Sequence, residues 1–197
     1  MKHITSYFIN EQELIKSIIQ VHNDGKDIEC DPMYFKGNFW KNGLNKPKYK
    51  FDLNPQVPEC IEADATNLPL DKNVLNSMIL DPPFLICNRK SQYEYYSSKT
   101  HTFFKSFQEL EKCYKGILEN AYRCLKKNGL LIFKCQDYTD SKTIMTHCYV
   151  WKWAIDIGFY AKDIAILNIP QHKIYNSKTR QRHFRKVHTY FWVFIKK

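Results

Sequence analysis

Ser77-Met78-Ile79-Leu80-Asp81-Pro82-Pro83-Phe84 is the stretch that decides how the rest of this chain is read. The run 77–80 is short and apolar and reads as a buried strand. It ends in an acid, two prolines and an aromatic. Proline fixes φ and has no N–H to offer a ladder, so the strand stops here and the backbone beyond it is stiff. What is left at the carboxyl end is one carboxylate and one flat ring. A plain strand-ending turn would also use prolines, so the reading depends on what lies around it.

Strand-like and helix-like segments alternate on both sides. Leu14, Ile15, Ile18, Ile19 and Val21 put one apolar face on a helix over 11–22, broken by Asn23-Asp24-Gly25. Short strands are expected over 27–30, 49–53 and 60–64. After Phe84 the stretch 85–101 is polar, basic and rich in tyrosine, the composition of an exposed loop. Apolar residues at three- and four-residue spacings predict a long helix over 102–127, ended by Asn128-Gly129. A strongly apolar strand follows at 130–135, then a helix over 145–157 closed by Gly158. Strands are expected at 163–169 and 190–195, with a basic stretch at 171–188 between them. The alternation predicts one α/β domain over 1–197: a mostly parallel sheet with helices on both faces, and a final antiparallel pair at one edge. In open sheets of this kind ligands sit outside the carboxyl ends of the strands, at a switch point. Asp31, Asp52, Asp64 and Asp81 each lie at or just past an expected strand end, so four acids should line one rim.

Composition narrows the partners. The 197 residues are 44% hydrophobic, enough for a packed core, and the formal net charge is +10. Such a field favours a polyanion through counterion release. The 7 cysteines include no CxxC pair and no secretory leader is legible, which reads as reduced thiols in a cytoplasmic protein. His172, His183 and His188 have no common metal-site spacing, so no metal is expected. No run is long enough for a membrane-spanning helix, and no membrane partner is expected.

Asp81-Pro82-Pro83-Phe84 resembles the D/N/S-P-P-Y/F catalytic motif of the class I S-adenosylmethionine-dependent amino-methyltransferases, and is most similar to the short, phage-type enzymes that act on adenine N6 or cytosine N4 of DNA. Asp31-Pro32-Met33-Tyr34-Phe35-Lys36-Gly37 resembles the family's cofactor loop, D-P-F-x-G-x-G, with one glycine in place of two. Asp52-Leu53-Asn54-Pro55 is similar to the acidic strand end that holds the cofactor ribose. Asp64-Ala65-Thr66-Asn67-Leu68-Pro69 is similar to the segment beside the cofactor adenine. The segment from Asp52 to Cys60 is too short for the helix usual there. The resemblance covers about 27–195 and implies a Rossmann-like fold. It implies S-adenosyl-L-methionine as cofactor, bound by Asp31, Gly37, Asp52, Asp64 and Ala65, and catalysis by Asp81, Pro82, Pro83 and Phe84. Taken singly, Asp52 and Asp64 read equally well as turn residues.

The chemistry matches the residue types. An exocyclic amine is a poor nucleophile because its lone pair is delocalised into the ring. Asp81 accepting one amine hydrogen and the Pro82 carbonyl the other would favour a tetrahedral nitrogen aimed at the methyl donor. Stacking on Phe84 would contribute roughly 1–3 kcal/mol, against the few kcal/mol needed to flip a base from a duplex. Arg89, Lys90 and Tyr93 in the 85–101 loop, and Lys178, Arg180 and Arg182 in 171–188, are candidate nucleic-acid contacts, basic side chains interleaved with aromatics. DNA is favoured over RNA. An RNA base methyltransferase and a non-catalytic nucleic-acid-binding module with a weakened cofactor loop are the alternatives.

Overall fold

The computed structural model describes residues 3–87, 103–139, 142–169, 180, 182–184 and 186–197. Ten strands and three helices follow in chain order among them. They are β1 (Tyr7–Phe8), α1 (Glu11–His22), β2 (Cys30–Asp31), β3 (Tyr49–Asp52), β4 (Ile61–Glu62), β5 (Leu75–Leu80) and α2 (Phe107–Cys124), then β6 (Leu125–Cys135), β7 (Tyr138–Thr139), β8 (Thr143–Ile144), α3 (Thr146–Ile157), β9 (Phe159–Asn168) and β10 (His188–Lys196). Eight strands form one sheet in the order β1-β9-β10-β6-β5-β2-β3-β4, and β7 and β8 make a separate hairpin. All neighbours in the sheet are parallel except β10, which runs antiparallel to both β6 and β9. The antiparallel pair is therefore β9 and β10, with the two-residue β1 added outside β9. Two residues are too few to show a period, which is why β1 carries no signal in the sequence.

The side-chain period of two sorts the core into two layers. Met78 and Leu80 of β5, and Leu131, Phe133 and Cys135 of β6, pack against α2 and α3. Ile79 of β5, and Leu130 and Ile132 of β6, face the other way, onto Leu14, Ile15, Ile18 and Ile19 of α1. Covered on both faces, Leu75 and 77–80 of β5 are buried almost without a break, the pattern of a parallel strand rather than an alternating one.

Helix ends have identifiable causes. Asn10 caps α1 by accepting from the Glu13 N–H, and Ser106 caps α2 by accepting from the Glu109 N–H. Helix α2 stops at Cys124, short of the Asn128-Gly129 signal. The backbone N–H groups of Asn73 and Val74 donate to the carbonyls of Arg123 and Cys124, and the Lys196 ammonium donates to those of Tyr122 and Leu125. These donors satisfy last-turn carbonyls that would otherwise need more helix or water. Leu125, fully buried, then pairs with Leu75, and the turn with Asn128 at φ 64° becomes an irregularity inside β6. At the end of α3, Gly158 takes φ 118° with the Tyr122 ring beside it; a Cβ there would sit 2.9 Å from the Tyr122 hydroxyl. β9 starts at once from Phe159, four residues before the sequence signal, because Phe159 is itself a core residue.

Candidate active site

Strand order reverses between β2 and β5. The chain runs from β2 to β3 and β4 on one side, then crosses back to lay β5 on the other. The crevice of an open α/β sheet lies at the carboxyl ends of such a pair. Asp31 ends β2 and Asp81 directly follows β5, so the fold brings these two acids to the switch point.

Asp31 is 2% exposed. Its Oδ1 accepts from the Met33 N–H at 3.0 Å and its Oδ2 from the Trp40 indole N–H at 2.7 Å. Burial pushes its carboxyl up to about 7 against the pull of those two donors, and the charges of Asp81 and Asp52 add to the rise. Residues 32–40 fold over this acid as a loop. The Tyr34 N–H donates to the Phe51 carbonyl, and the Phe35 N–H donates to Asp52 Oδ2 at 2.8 Å. Phe35 takes φ 48° and Gly37 takes φ 70°. In the D-P-F-x-G-x-G pattern Phe35 stands where the first glycine would. Its own backbone is left-handed, a conformation glycine adopts readily, and its N–H is held by Asp52. At Gly37 a Cβ would lie 2.6 Å from the hydroxyl of Tyr34, a buried ring, so that glycine has no ready substitute.

The other two acids make local contacts. Asp52 accepts from Phe35 and Asn54 N–H groups, tying the loop to the end of β3. Asp64 is exposed, and its Oδ1 accepts from both the N–H and the hydroxyl of Thr66, an Asx turn. Ala65 beside it is half-buried and packs on the α2–α3 layer.

The turn after β5 is braced from three directions. Tyr114 of α2, fully buried, donates its hydroxyl to the Pro83 carbonyl at 3.0 Å. Burial holds that phenol well above its ordinary range, so it stays a donor. Past the half-buried Phe84, Leu85 and Cys87 exchange backbone hydrogen bonds with Phe104, and Tyr138 donates to the Ile86 carbonyl at 2.9 Å. The described ends flanking 88–102 are thereby paired.

Asp81 has a partner to which the sequence assigned no role. Lys134, on the α1 face of β6, donates to Asp81 Oδ2 at 2.9 Å and to Glu11 Oε1 at 2.8 Å. Its ammonium also lies over the faces of Phe39 and Phe191, 5.0 and 5.8 Å from their centroids. Burial raises the Asp81 carboxyl, the Lys134 charge and hydrogen bond pull it down, and Glu11 raises it further. For Lys134 itself burial acts downward, and the two carboxylates outweigh it to leave the ammonium raised and charged.

A second polar group gathers past the end of β6. Asp137, buried, accepts from His147 Nδ1 at 2.7 Å and from the Tyr190 hydroxyl at 3.4 Å, and His188 Nε2 lies 2.9 Å from that hydroxyl. The imidazole of His147 stacks on Tyr190 at 4.1 Å. The contact of Asp137 with His147 closes across the β7–β8 hairpin, a tertiary event with no periodic signal. Among the expected substrate contacts, Arg180 and Arg182 are exposed, whereas Arg89, Lys90, Tyr93 and Lys178 lie outside the described residues. Among the described residues no group of three or more His, Cys, Asp or Glu is placed to hold a metal ion, and no helix is long and apolar enough to cross a membrane.

No protein-family model matches the chain, and no curated protein matches its sequence. Solved structures do match in fold. TrmN from Thermus thermophilus superposes with a TM-score of 0.57 at 15% identity, covering 94% of this chain and 49% of its own. The 1,6-didemethyltoxoflavin-N1-methyltransferase of Burkholderia thailandensis, with S-adenosylhomocysteine bound, gives 0.57 at 12% identity over 95% of this chain and 79% of its own. The fold is that of the class I methyltransferases. A putative DNA modification methylase, also from Thermus thermophilus, gives a TM-score of 0.48 at 13% identity, over 68% of this chain and 52% of its own. This chain thus spans about half the length of that methylase and of TrmN. In this fold the switch point between β2 and β5 is where Asp31 and Asp81 converge.

Proposed function

We propose that this chain is an S-adenosylmethionine-dependent methyltransferase acting on an exocyclic amine of a nucleic-acid base, with DNA adenine N6 the first candidate and cytosine N4 the next. The observation that carries the reading is the Asp81 carboxylate at the switch point, set on a braced turn and held by Lys134. The residues fit the cofactor: the charges of Asp81 and Asp52 add to the rise at Asp31, the environment in which a cationic ligand is favoured. Asp31 and Gly37 would hold the amino-acid end and Asp52 the ribose, with Asp64 and Ala65 beside the adenine, as the resemblance implies. When bound, S-adenosylmethionine supplies a methyl group on a sulfonium, ready for in-line transfer.

The chain's own residues do the rest by positioning. With Pro83's carbonyl taken by Tyr114, the Pro82 carbonyl is the turn's acceptor for one amine hydrogen, and Asp81 takes the other. As the N–C bond forms, the nitrogen must lose a proton. Asp81, whose carboxyl burial has raised, is placed to receive it. Phe84, partly exposed beyond the second proline, offers a face to the base.

Asp81→Ala should abolish methyl transfer from labelled cofactor to DNA while leaving cofactor affinity within a few-fold. Undiminished methylation by that variant would overturn the mechanism. Running the same assay with RNA in place of DNA decides between the two polymers.

A further inference from the structure

Lys134 stands out in its strand. Its neighbours on the same face of β6, Leu130 and Ile132, are apolar core residues, and its own side chain is 14% exposed. A lysine at such a position carries a desolvation cost that an apolar residue of similar length would not, and buried ion pairs are commonly neutral or worse for stability than well-packed apolar replacements. Stability therefore gives no account of this charge, and its contacts supply one. The ammonium has three hydrogens. One goes to Asp81 Oδ2 and one to Glu11 Oε1, with the rings of Phe39 and Phe191 packed against it. Glu11 sits in the first turn of α1, where the helix dipole favours a carboxylate, so the far end of the chain of contacts is itself anchored.

We propose that Lys134 is a positioning residue for methyl transfer: anchored by Glu11, it holds Asp81 with Oδ2 bound and Oδ1 left to take the substrate amine. This inference rests on the reading of Asp81 as the amine acceptor. Before the reaction the three side chains carry one net negative charge, which complements a cationic methyl donor. After a proton passes from nitrogen to Asp81 they are neutral, with Lys134 still paired to Glu11. Glu11 is thus the partner that keeps the ammonium in place when Asp81 is discharged.

The charged and titratable groups around Asp81 are few: Lys134 on β6, Glu11 on α1, Asp31 at the end of β2 and the Tyr114 phenol on α2. Replacing Lys134 and replacing Glu11 should therefore move Asp81 in opposite directions. Lys134→Met removes the group that pulls the carboxyl down, so its titration should rise by a unit or more. The acid limb of the pH–rate profile should move to higher pH with it, so that turnover is lost first at the acid end and recovers in alkali. Cofactor affinity should hold or tighten, because the crevice has lost a positive charge. Glu11→Gln removes a group that pushes Asp81 up, and both the titration and the acid limb should move to lower pH.

The test is a carboxyl 13C NMR titration of Asp81 in the full-length protein and both variants, alongside the pH–rate profiles. Opposite shifts in the two variants support the proposal. An unmoved Asp81 titration in both, or a pH-independent loss of activity in Lys134→Met with weakened cofactor binding, overturns it and leaves Lys134 a structural residue. Glu11→Gln, on the first turn of a capped helix, carries the test if Lys134→Met does not fold. If the titrations shift as stated but the wild-type chain methylates no nucleic acid, it is the amino-methyltransferase reading that falls, while the clamp on Asp81 stands.

Discussion

At the scale of single residues, the two switch-point acids are held in opposite ways. Asp81 has a cation against it. Asp31 has only neutral donors, and burial lifts its carboxyl to about 7. A ligand cation placed at Asp31 would lower that value, so cofactor binding must expel a proton wherever the free protein holds one. The sign follows: affinity for S-adenosylmethionine should weaken by up to about tenfold for each pH unit below 7 and flatten above it. Calorimetric titration across that range checks this, and a pH-independent affinity would remove Asp31 from the cofactor site. Asp31→Asn should lose both the affinity and its pH dependence. The folded-state carboxyl lies above its unfolded value, so whatever stability it contributes is present in acid and lost as pH rises through 7. Phe35 shows the same economy of substitution. It occupies a left-handed position that the family pattern gives to glycine, at a cost of roughly 1–2 kcal/mol, and the hydrogen bond from its N–H to Asp52 offsets part of that.

Among the elements, α2 matters most for the site, because it reaches the turn after β5 through one hydroxyl. Tyr114 is wedged among Phe104, Phe133 and Trp153, with ring centroids 6.3, 5.2 and 6.3 Å away, so its direction is set by packing. Tyr114→Phe keeps that packing and leaves the Pro83 carbonyl without its donor. Stability should fall by only about 1–2 kcal/mol, whereas turnover should drop further because the turn carrying Asp81 and Phe84 loses a brace. Equal proportional losses in the two measurements would argue that Tyr114 is structural alone. The element scale also explains what the sequence could and could not reveal. Helix α1 and the buried strand β5 were legible because each has a strong period or a solid apolar run. The end of α2 was not, since it is imposed by Asn73 and Val74 donating across the structure rather than by the Asn128-Gly129 signal beside it. The acids at the strand ends were legible because strand ends are. The role of Lys134 went unread, although the signal existed: a lone lysine on the inward face of Leu130-Leu131-Ile132-Phe133-Lys134-Cys135 has no reason to be there unless something binds it. Glu11 lies more than a hundred residues away and carries no local mark.

On the scale of the whole molecule, charge is divided by location. The net charge is +10, yet the switch point brings together the acids Asp31 and Asp81, with Asp52 close enough to act on Asp31 and with Lys134 paired to Asp81 and Glu11. Acids at the switch point suit a cationic cofactor, and a basic exterior suits a polyanion, so the two ligands need not compete for the same side chains. The consequence is a separable salt response. Nucleic-acid affinity should fall linearly with the logarithm of salt concentration, with a slope close to the number of phosphates neutralised, about tenfold or more between 50 and 200 mM for even a few contacts. Cofactor affinity, set by partly buried groups, should change far less. Arg180 and Arg182 are exposed and belong to the exterior, so replacing both with alanine should lower the salt slope by about two while leaving cofactor affinity unchanged. Filter binding with a duplex and with a single strand of the same sequence measures both slopes. If the double variant left the slope intact, the phosphate contacts would have to come from elsewhere on the exterior, and the stretch 171–188 would lose its place in the interface.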